Sequence, residues 1–230
     1  MPSQIAYLHY VQLLDSALPI GGFSHSFGLE TFVQQGRVDS IEQLEHYLRS
    51  LLHHSLAPLD GLAIKGVREA MERRDDALVA HYDRIVHLQR TPRESRDGMH
   101  KMGKRLIRLG SPLYPEAELA RLEELLRLHG GYGTLPTVHA WISGSLGVSV
   151  DEAVTGYLYS GMTTMVNSAL RLMAIGQTDG QLLIRRILAE IDRQWALVRE
   201  QPADALHSFS LAADIRAMQH ETLYSRLFMS

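Results

Sequence analysis

The sequence predicts an all-α protein: one compact domain of about ten helices, closed by a C-terminal tail. Three observations carry that expectation. Apolar residues recur at helical spacing along nearly the whole chain, strand-like alternation is nearly absent, and most helical runs are bounded by a glycine, proline or capping residue with only a short loop beyond. No fixed-period repeat, low-complexity segment or long linker divides the 230 residues. One helical core is therefore expected.

The first helix is read over 5–15. Ser40 is an N-cap, with Gln43 completing a capping box. Ile41, Leu44, Leu48, Leu51, Leu52 and Ser55 then form one stripe, with Glu42, Glu45, His46 and Arg49 on the wet side. Pro58 is read as a boundary, followed by a helical run over 59–74. Asp75 or Asp76 caps a third run reaching about Arg90, and Thr91-Pro92 breaks it. Further runs are expected over 93–109, 115–129, 136–146 and 150–172. Gly110-Ser111-Pro112, Gly130-Gly131-Tyr132-Gly133 and Gly147 separate them. Gly176-Gln177-Thr178-Asp179-Gly180 is read as another break, with Gly176 closing one helix and Thr178 or Asp179 capping the next, over 181–199. Pro202 precedes the terminal segment.

Composition excludes several classes. The chain is 45% hydrophobic and 21% charged, with 23 Lys+Arg against 26 Asp+Glu, a formal charge of −3. That balance fits neither a disordered chain nor the basic footprint of a nucleic-acid binder. With no cysteine, thiolate zinc sites, iron–sulfur clusters, disulfides and thiol nucleophiles are all removed. Twelve histidines leave imidazole and carboxylate as the available metal chemistry. Residues 1–6 carry no basic export-signal region, and the most apolar long window, 157–175, is interrupted by polar residues and Arg171. No membrane span is expected, and the cytoplasm is the expected location.

Enzyme signatures fail on particular residues. Gly22-Phe23-Ser24-His25-Ser26 begins like a nucleophile elbow but ends in serine and lacks a preceding strand. His220-Glu221-Thr222-Leu223-Tyr224 has tyrosine where a zincin places its second histidine. Gly103-Lys104 is followed by Arg105 and no P-loop is present. His46 and His53 lie near one helix face but share it with Glu42 and Arg49, and His81 and His87 are too far apart around a helix to chelate together. His139 and His220 are single residues whose plain reading is structural. No metal-ligating set follows from spacing.

Three segments carry more specificity than a helical fold asks for. Leu18-Pro19-Ile20-Gly21-Gly22-Phe23-Ser24-His25-Ser26-Phe27-Gly28-Leu29-Glu30 combines a fixed proline φ with more glycine than one turn needs, and Ser24 or Ser26 can cap a short helix. It reads either as a tight connection or as a contact surface. In Arg171-Leu172-Met173-Ala174-Ile175-Gly176-Gln177-Thr178-Asp179-Gly180-Gln181, helix caps leave Gln177 and Gln181 unexplained. The tail from Phe209 has a stripe of Leu211, Ile215 and Met218, then Tyr224, Leu227 and Phe228, with Arg216 and Arg226 adding charge. So apolar an end must dock on its own domain or on a partner.

Together these segments resemble the urease accessory protein UreF family. Its P-[IV]-G-G-F-[ST]-x-S-x-G-L-E pattern stands at 19–30, its G-Q-T-D-G-Q at 176–181, and its H-E-T-x-Y-S-R-L-F-R-S ending at 220–230. Arg93-Glu94-Ser95 with Gly103, and His139 before Gly144, fit between them. Ala174 replaces a proline often found before the second motif. Met229 replaces the penultimate arginine, removing one potential charged contact.

The resemblance implies an all-α, non-enzymatic assembly factor in the cytoplasm. It would bind UreD (UreH in some organisms), recruit the nickel-carrying GTPase UreG to the urease apoprotein, and form a homodimer. The expected partner-binding residues are Pro19, Gly21, Gly22, Phe23, Ser26 and Glu30; Gln177, Asp179 and Gln181; and His220, Glu221, Tyr224, Arg226, Leu227 and Phe228. An all-helical domain over 1–207 would carry a partner-binding tail over 208–230. No catalytic residue, metal ligand or tightly bound cofactor is assigned, nickel being handled by the complex. Two other roles are regulation of UreG GTP hydrolysis, with Arg226 as a candidate, and nickel carriage through His220 and Glu221.

Overall fold

In the computed structural model, which describes residues 4–230, all regular structure is helical. Residues 1–3, part of the segment read for an export signal, lie outside the described residues. Eleven α-helices are present among the described residues: α1 (Gln4–Leu14), α2 (Leu29–Gln34), α3 (Ile41–Leu51), α4 (Leu62–Arg73), α5 (Asp76–Gln89), α6 (Arg93–Leu113), α7 (Leu119–His129), α8 (Leu135–Ser145), α9 (Val150–Leu172), α10 (Gln177–Val198) and α11 (Leu211–His220).

The sequence of α8 explains its central place. Val138, Ala140, Trp141 and Ile142 leave it no polar face, and its polar side chains bond inside: His139 Nε2 to the Ala153 carbonyl at 3.0 Å, and Thr137 to Thr134 at 3.0 Å. A helix apolar on all sides is a core helix, and α4, α6 and α9 surround it. Burial pushes the His139 pKa down to about 4, so it is a neutral structural imidazole, as its isolation in sequence suggests.

Several expected boundaries hold. Ser40 Oγ accepts from Gln43 N at 3.3 Å, while the Gln43 side chain reaches back one residue further than a capping box requires, to Asp39 N at 2.8 Å. Asp75 caps α5, and α9 matches its expected range, opened by a complete Ser149–Glu152 box.

Three boundaries are corrected. Pro58 does not end a helix: a π-helical segment (Leu52–Gly61) joins α3 to α4 without a break. Proline has no N–H to give the His54 carbonyl four residues back, and its ring crowds that carbonyl. The wider π turn accommodates the ring, and Phe209 N takes the His54 carbonyl at 2.7 Å. Gly110-Ser111-Pro112 likewise stays inside α6, which runs on to Leu113. Gly176 through Gly180 is not a gap: Gly176 is the extended N-cap of α10 and the next four residues are its first turn, while Met173 caps α9. Gly180 sits there because a β-carbon would press on Leu170 at 3.1 Å.

A buried ion pair ties the π segment to the core. Both Asp60 carboxylate oxygens lie 2.6 Å from an Arg90 guanidinium nitrogen, and the Tyr157 hydroxyl donates to Asp60 at 3.2 Å. These groups face a central cavity of about 150 Å³, whose lining includes Met99, Met102 and Met165.

Candidate partner-docking site

Two of the three specific segments meet in space. Ahead of α2 the chain turns through Gly21 at φ +95°, makes a 3₁₀ turn over Gly22–Ser24, and enters α2 through Gly28 at φ +93°. A β-carbon on Gly28 would stand 3.0 Å from Ala217 N, so this glycine lets the α11 backbone pass directly against the loop. The chain end then lies along the same loop. Ser26 N and Phe27 N donate to the Ser230 carbonyl at 2.5 and 3.0 Å, and Met229 N donates to the Ser24 carbonyl at 2.8 Å. Ser26 Oγ donates to the Ser230 carbonyl at 2.9 Å and accepts from Glu30 N at 3.3 Å, so it caps the first turn of α2 as expected of it, although Gly28 holds the N-cap position.

Below this contact lies a buried lattice of charge. His220 is fully enclosed (0% exposed), with Nε2 3.0 Å from Glu30 and Nδ1 2.7 Å from Glu94. Glu30 also accepts from Leu227 N at 2.7 Å and Phe228 N at 3.0 Å. Glu94 takes Arg226 at 2.7 Å on its other oxygen, and Arg93 pairs with Glu221 at 2.5 Å. Burial pushes the Glu30 carboxyl up, but the donors from Leu227, His220 and Phe228 outweigh it and hold the group below its ordinary value. Phe228 is buried under the Arg171 guanidinium, which stands 4.5 Å from its ring centre and donates to the Phe23 carbonyl at 2.8 Å.

The tail therefore docks on its own domain, but not through the residues whose stripe suggested docking. Leu211, Ile215 and Met218 on α11 are 60%, 40% and 44% exposed. Tyr224 is fully exposed, and Phe209, Leu227, Met229 and Phe23 are also largely solvent-facing. Beside the row runs an open groove of about 670 Å³, lined by Phe32, Val38, Tyr47, Phe209 and Leu211 among others. Of the expected site residues, Ser26, Glu30, His220, Glu221, Arg226 and Phe228 hold the tail in place, whereas Phe23, Tyr224 and Leu227 face solvent. Pro19 lies at the loop's entry, where its carbonyl accepts from Arg105. Gly22 has ordinary room against Met102 and Thr164. Gln177, Asp179 and Gln181 lie exposed on the first turn of α10, and among the described residues none of them bonds to the loop or the tail.

Glu94, Arg93, Arg171 and His25 belong to the same arrangement and have no assigned role in the sequence reading. The His25 ring bonds Ser230 Oγ at 2.7 Å, and a β-carbon on Gly98 would strike that ring at 2.8 Å. Their signals in sequence are weak: Arg93-Glu94 fits the family pattern, and His25 and Arg171 lie in the first and second specific segments. The partners of Arg93 and Glu94 lie more than 120 residues away.

Fold and site define an all-helical protein whose glycine-rich loop and C-terminal tail are bonded to each other. The UreF family model matches residues 38–188. The urease accessory protein UreF of Lachnoclostridium phytofermentans is 35% identical over 223 residues, covering 97% of this chain and 98% of its own length. Those of Actinobacillus pleuropneumoniae serotype 3 and Bacillus sp. strain TB-90 are 34% identical over 230 residues and 33% over 223, each covered to 98% of its length. The chain belongs to the UreF family of urease accessory proteins, and it is an accessory protein rather than an enzyme. The family model covers neither the loop at 19–30 nor the tail, so the near-complete coverage of the relatives is what extends the match to both.

Proposed function

We propose that the chain is a subunit of a urease maturation complex in the cytoplasm, which binds UreD (UreH) through α11 and the tail and positions the GTPase UreG on the urease apoprotein. The observation that carries this reading is the exposed row of Leu211, Ile215 and Met218, set on a helix whose other side is locked to the domain. Three apolar side chains in one exposed line, flanked by Phe209 and a groove, form a surface whose remaining exposure, when buried, is favourable by about 1 kcal/mol per side chain. Among the described residues no helix is long and apolar enough to cross a membrane. In this reading the tail from 208 onward is the partner-binding segment, the protein acts as a homodimer, and nickel is cargo of the complex rather than a resident cofactor.

The two other roles find less support in the geometry. Arg226 is paired with Glu94, and His220 has both nitrogens on carboxylates; neither is a free group in this structure. Among the described residues no group of three or more histidine and carboxylate side chains is arranged to hold a metal. Removal of residues 209–230 is expected to abolish co-purification with UreD. Because it also strips Glu30 and Glu94 of their partners, the serine triple variant at Leu211, Ile215 and Met218, which keeps those contacts, is expected to lose UreD as well. A truncated protein that still captures UreD at full strength overturns the assignment of the tail.

A further inference from the structure

Away from the tail, α5 and α6 bring together two histidines thirteen residues apart in sequence. His87 Nδ1 and His100 Nε2 are 3.1 Å apart, and the two rings are within 11° of parallel. Tyr132 lies flat over them, 3.6 Å from the His87 ring centre and 5.3 Å from that of His100, with interplanar angles of 4° and 7°. The platform is itself fixed: Asp83, buried on α5, accepts from the backbone N–H groups of Tyr132, Gly133 and Thr134, so the glycine-rich loop carrying Tyr132 is clasped from below. Both imidazoles are half-buried, whereas His139 and His220 are buried.

Two imidazole nitrogens bound side by side on one metal, with bonds of about 2.1 Å, stand about 3 Å apart when the angle between them is near 90°. That is the separation found here, without any movement of either helix. As it stands, the pair shares a hydrogen bond, which needs one nitrogen protonated and the other bare. Moving that one proton to the far nitrogen of the same ring leaves both facing nitrogens bare, and a small rotation of each ring about its side-chain bonds would turn them toward one ion. Burial holds both imidazoles below their ordinary value, with Arg96 adding to the effect at His87 and His100's neighbour His87 at His100. The neutral imidazole is the form that ligates.

We infer that His87 and His100 form a two-histidine site for a late first-row divalent cation such as Zn²⁺, Ni²⁺ or Cu²⁺, with water completing the coordination. The surroundings set its strength. Asp83 and Asp97 bring negative charge to the pair, whereas Arg96 and Lys104 bring positive charge, and Asp83 is already committed to the loop. With two protein ligands and mixed charge around them, binding is micromolar and exchangeable, not the closed coordination of a structural site. The inference does not depend on the role proposed for the tail.

The test is titration of the full chain with Cu²⁺ and separately with Zn²⁺, by calorimetry, for wild type, His87→Gln, His100→Gln and the double variant. Wild type is expected to bind one ion at this site, with each single variant at least about tenfold weaker and the double variant lacking the site altogether. Electron paramagnetic resonance of the copper-loaded wild type gives a reading that needs no variant, since two equatorial imidazole nitrogens are expected. Tyr132→Phe keeps the flat ring and is expected to bind as wild type does. A double variant that binds with unchanged stoichiometry and affinity, a copper signal with one nitrogen or none, or no wild-type binding at 100 µM ion, roughly a hundred times a dissociation constant of about 1 µM, overturns the site.

Discussion

At the scale of single residues, Glu30 carries the greatest consequence. It is buried, and its two oxygens receive the Leu227 and Phe228 N–H groups and His220. Replacing it by alanine strands three donors at once in a site closed to water. Glu30→Ala is therefore expected to cost about 3 kcal/mol, read as a lowered denaturant midpoint, and to make the tail the first segment cut in limited proteolysis. Its titration gives a second expectation. Docking holds the carboxyl below its ordinary value of 4.5, so the folded chain binds fewer protons than the unfolded chain as pH falls past that value. The contribution is full above about pH 4.5 and is lost as pH drops through the folded value. The stability difference between wild type and Glu30→Gln, followed by denaturation from pH 7 to pH 3, is expected to be constant near neutrality and to shrink below pH 4.5.

At the scale of elements, the π segment and α11 depend on each other. Pro58 frees the His54 carbonyl, and the strand of chain leading into α11 uses the resulting edge: Phe209 N bonds His54, His207 N bonds the Pro58 carbonyl at 3.2 Å, and Ser208 Oγ donates to Ser55 at 2.9 Å. Proline alone reads as a stop; its inclusion rests on donors 149 or more residues further along the chain. The consequence for α11 is that backbone and charged groups fix it, leaving its apolar row uncovered. The triple change Leu211→Ser, Ile215→Ser, Met218→Ser is expected to alter stability by less than about 1 kcal/mol, because these side chains already face water. Capture of UreD, measured by co-purification or surface plasmon resonance, is expected to fall at least tenfold if this row is the docking face.

At the scale of the whole molecule, the Asp60–Arg90–Tyr157 cluster joins the π segment, α5 and α9 around the central cavity. Removing one partner of such a pair leaves an uncompensated charge in the interior. Asp60→Ala is expected to cost about 3–5 kcal/mol, which for a chain of this size lowers the melting temperature by roughly 10 °C, measurable by calorimetry. Asp60 gave no sign of this in sequence, where it stands two residues after Pro58 at the expected start of a helical run and reads as an acidic first-turn residue.

Helical periodicity by itself determined the fold class, most helix positions and the buried face of α3, because these follow from local spacing of apolar side chains and need no distant partner. The ordered set of motifs also pointed to the family. Helix continuity through Pro58 and Gly110-Ser111-Pro112 was decided elsewhere, as proline and glycine weaken a helix locally but neighbouring elements supply the missing bonds. Tertiary structure alone decided that the glycine-rich loop and the tail hold one another, since Glu30 and His220 are 190 residues apart. It also decided that Leu211, Ile215 and Met218 face outward although they form a stripe; periodicity locates an apolar face but does not say what covers it. The same reason governs the histidines. Spacing correctly separated His87 from His81 on one helix, yet its pairing with His100 exists only because α5 and α6 pack side by side, a distance that no single helix encodes.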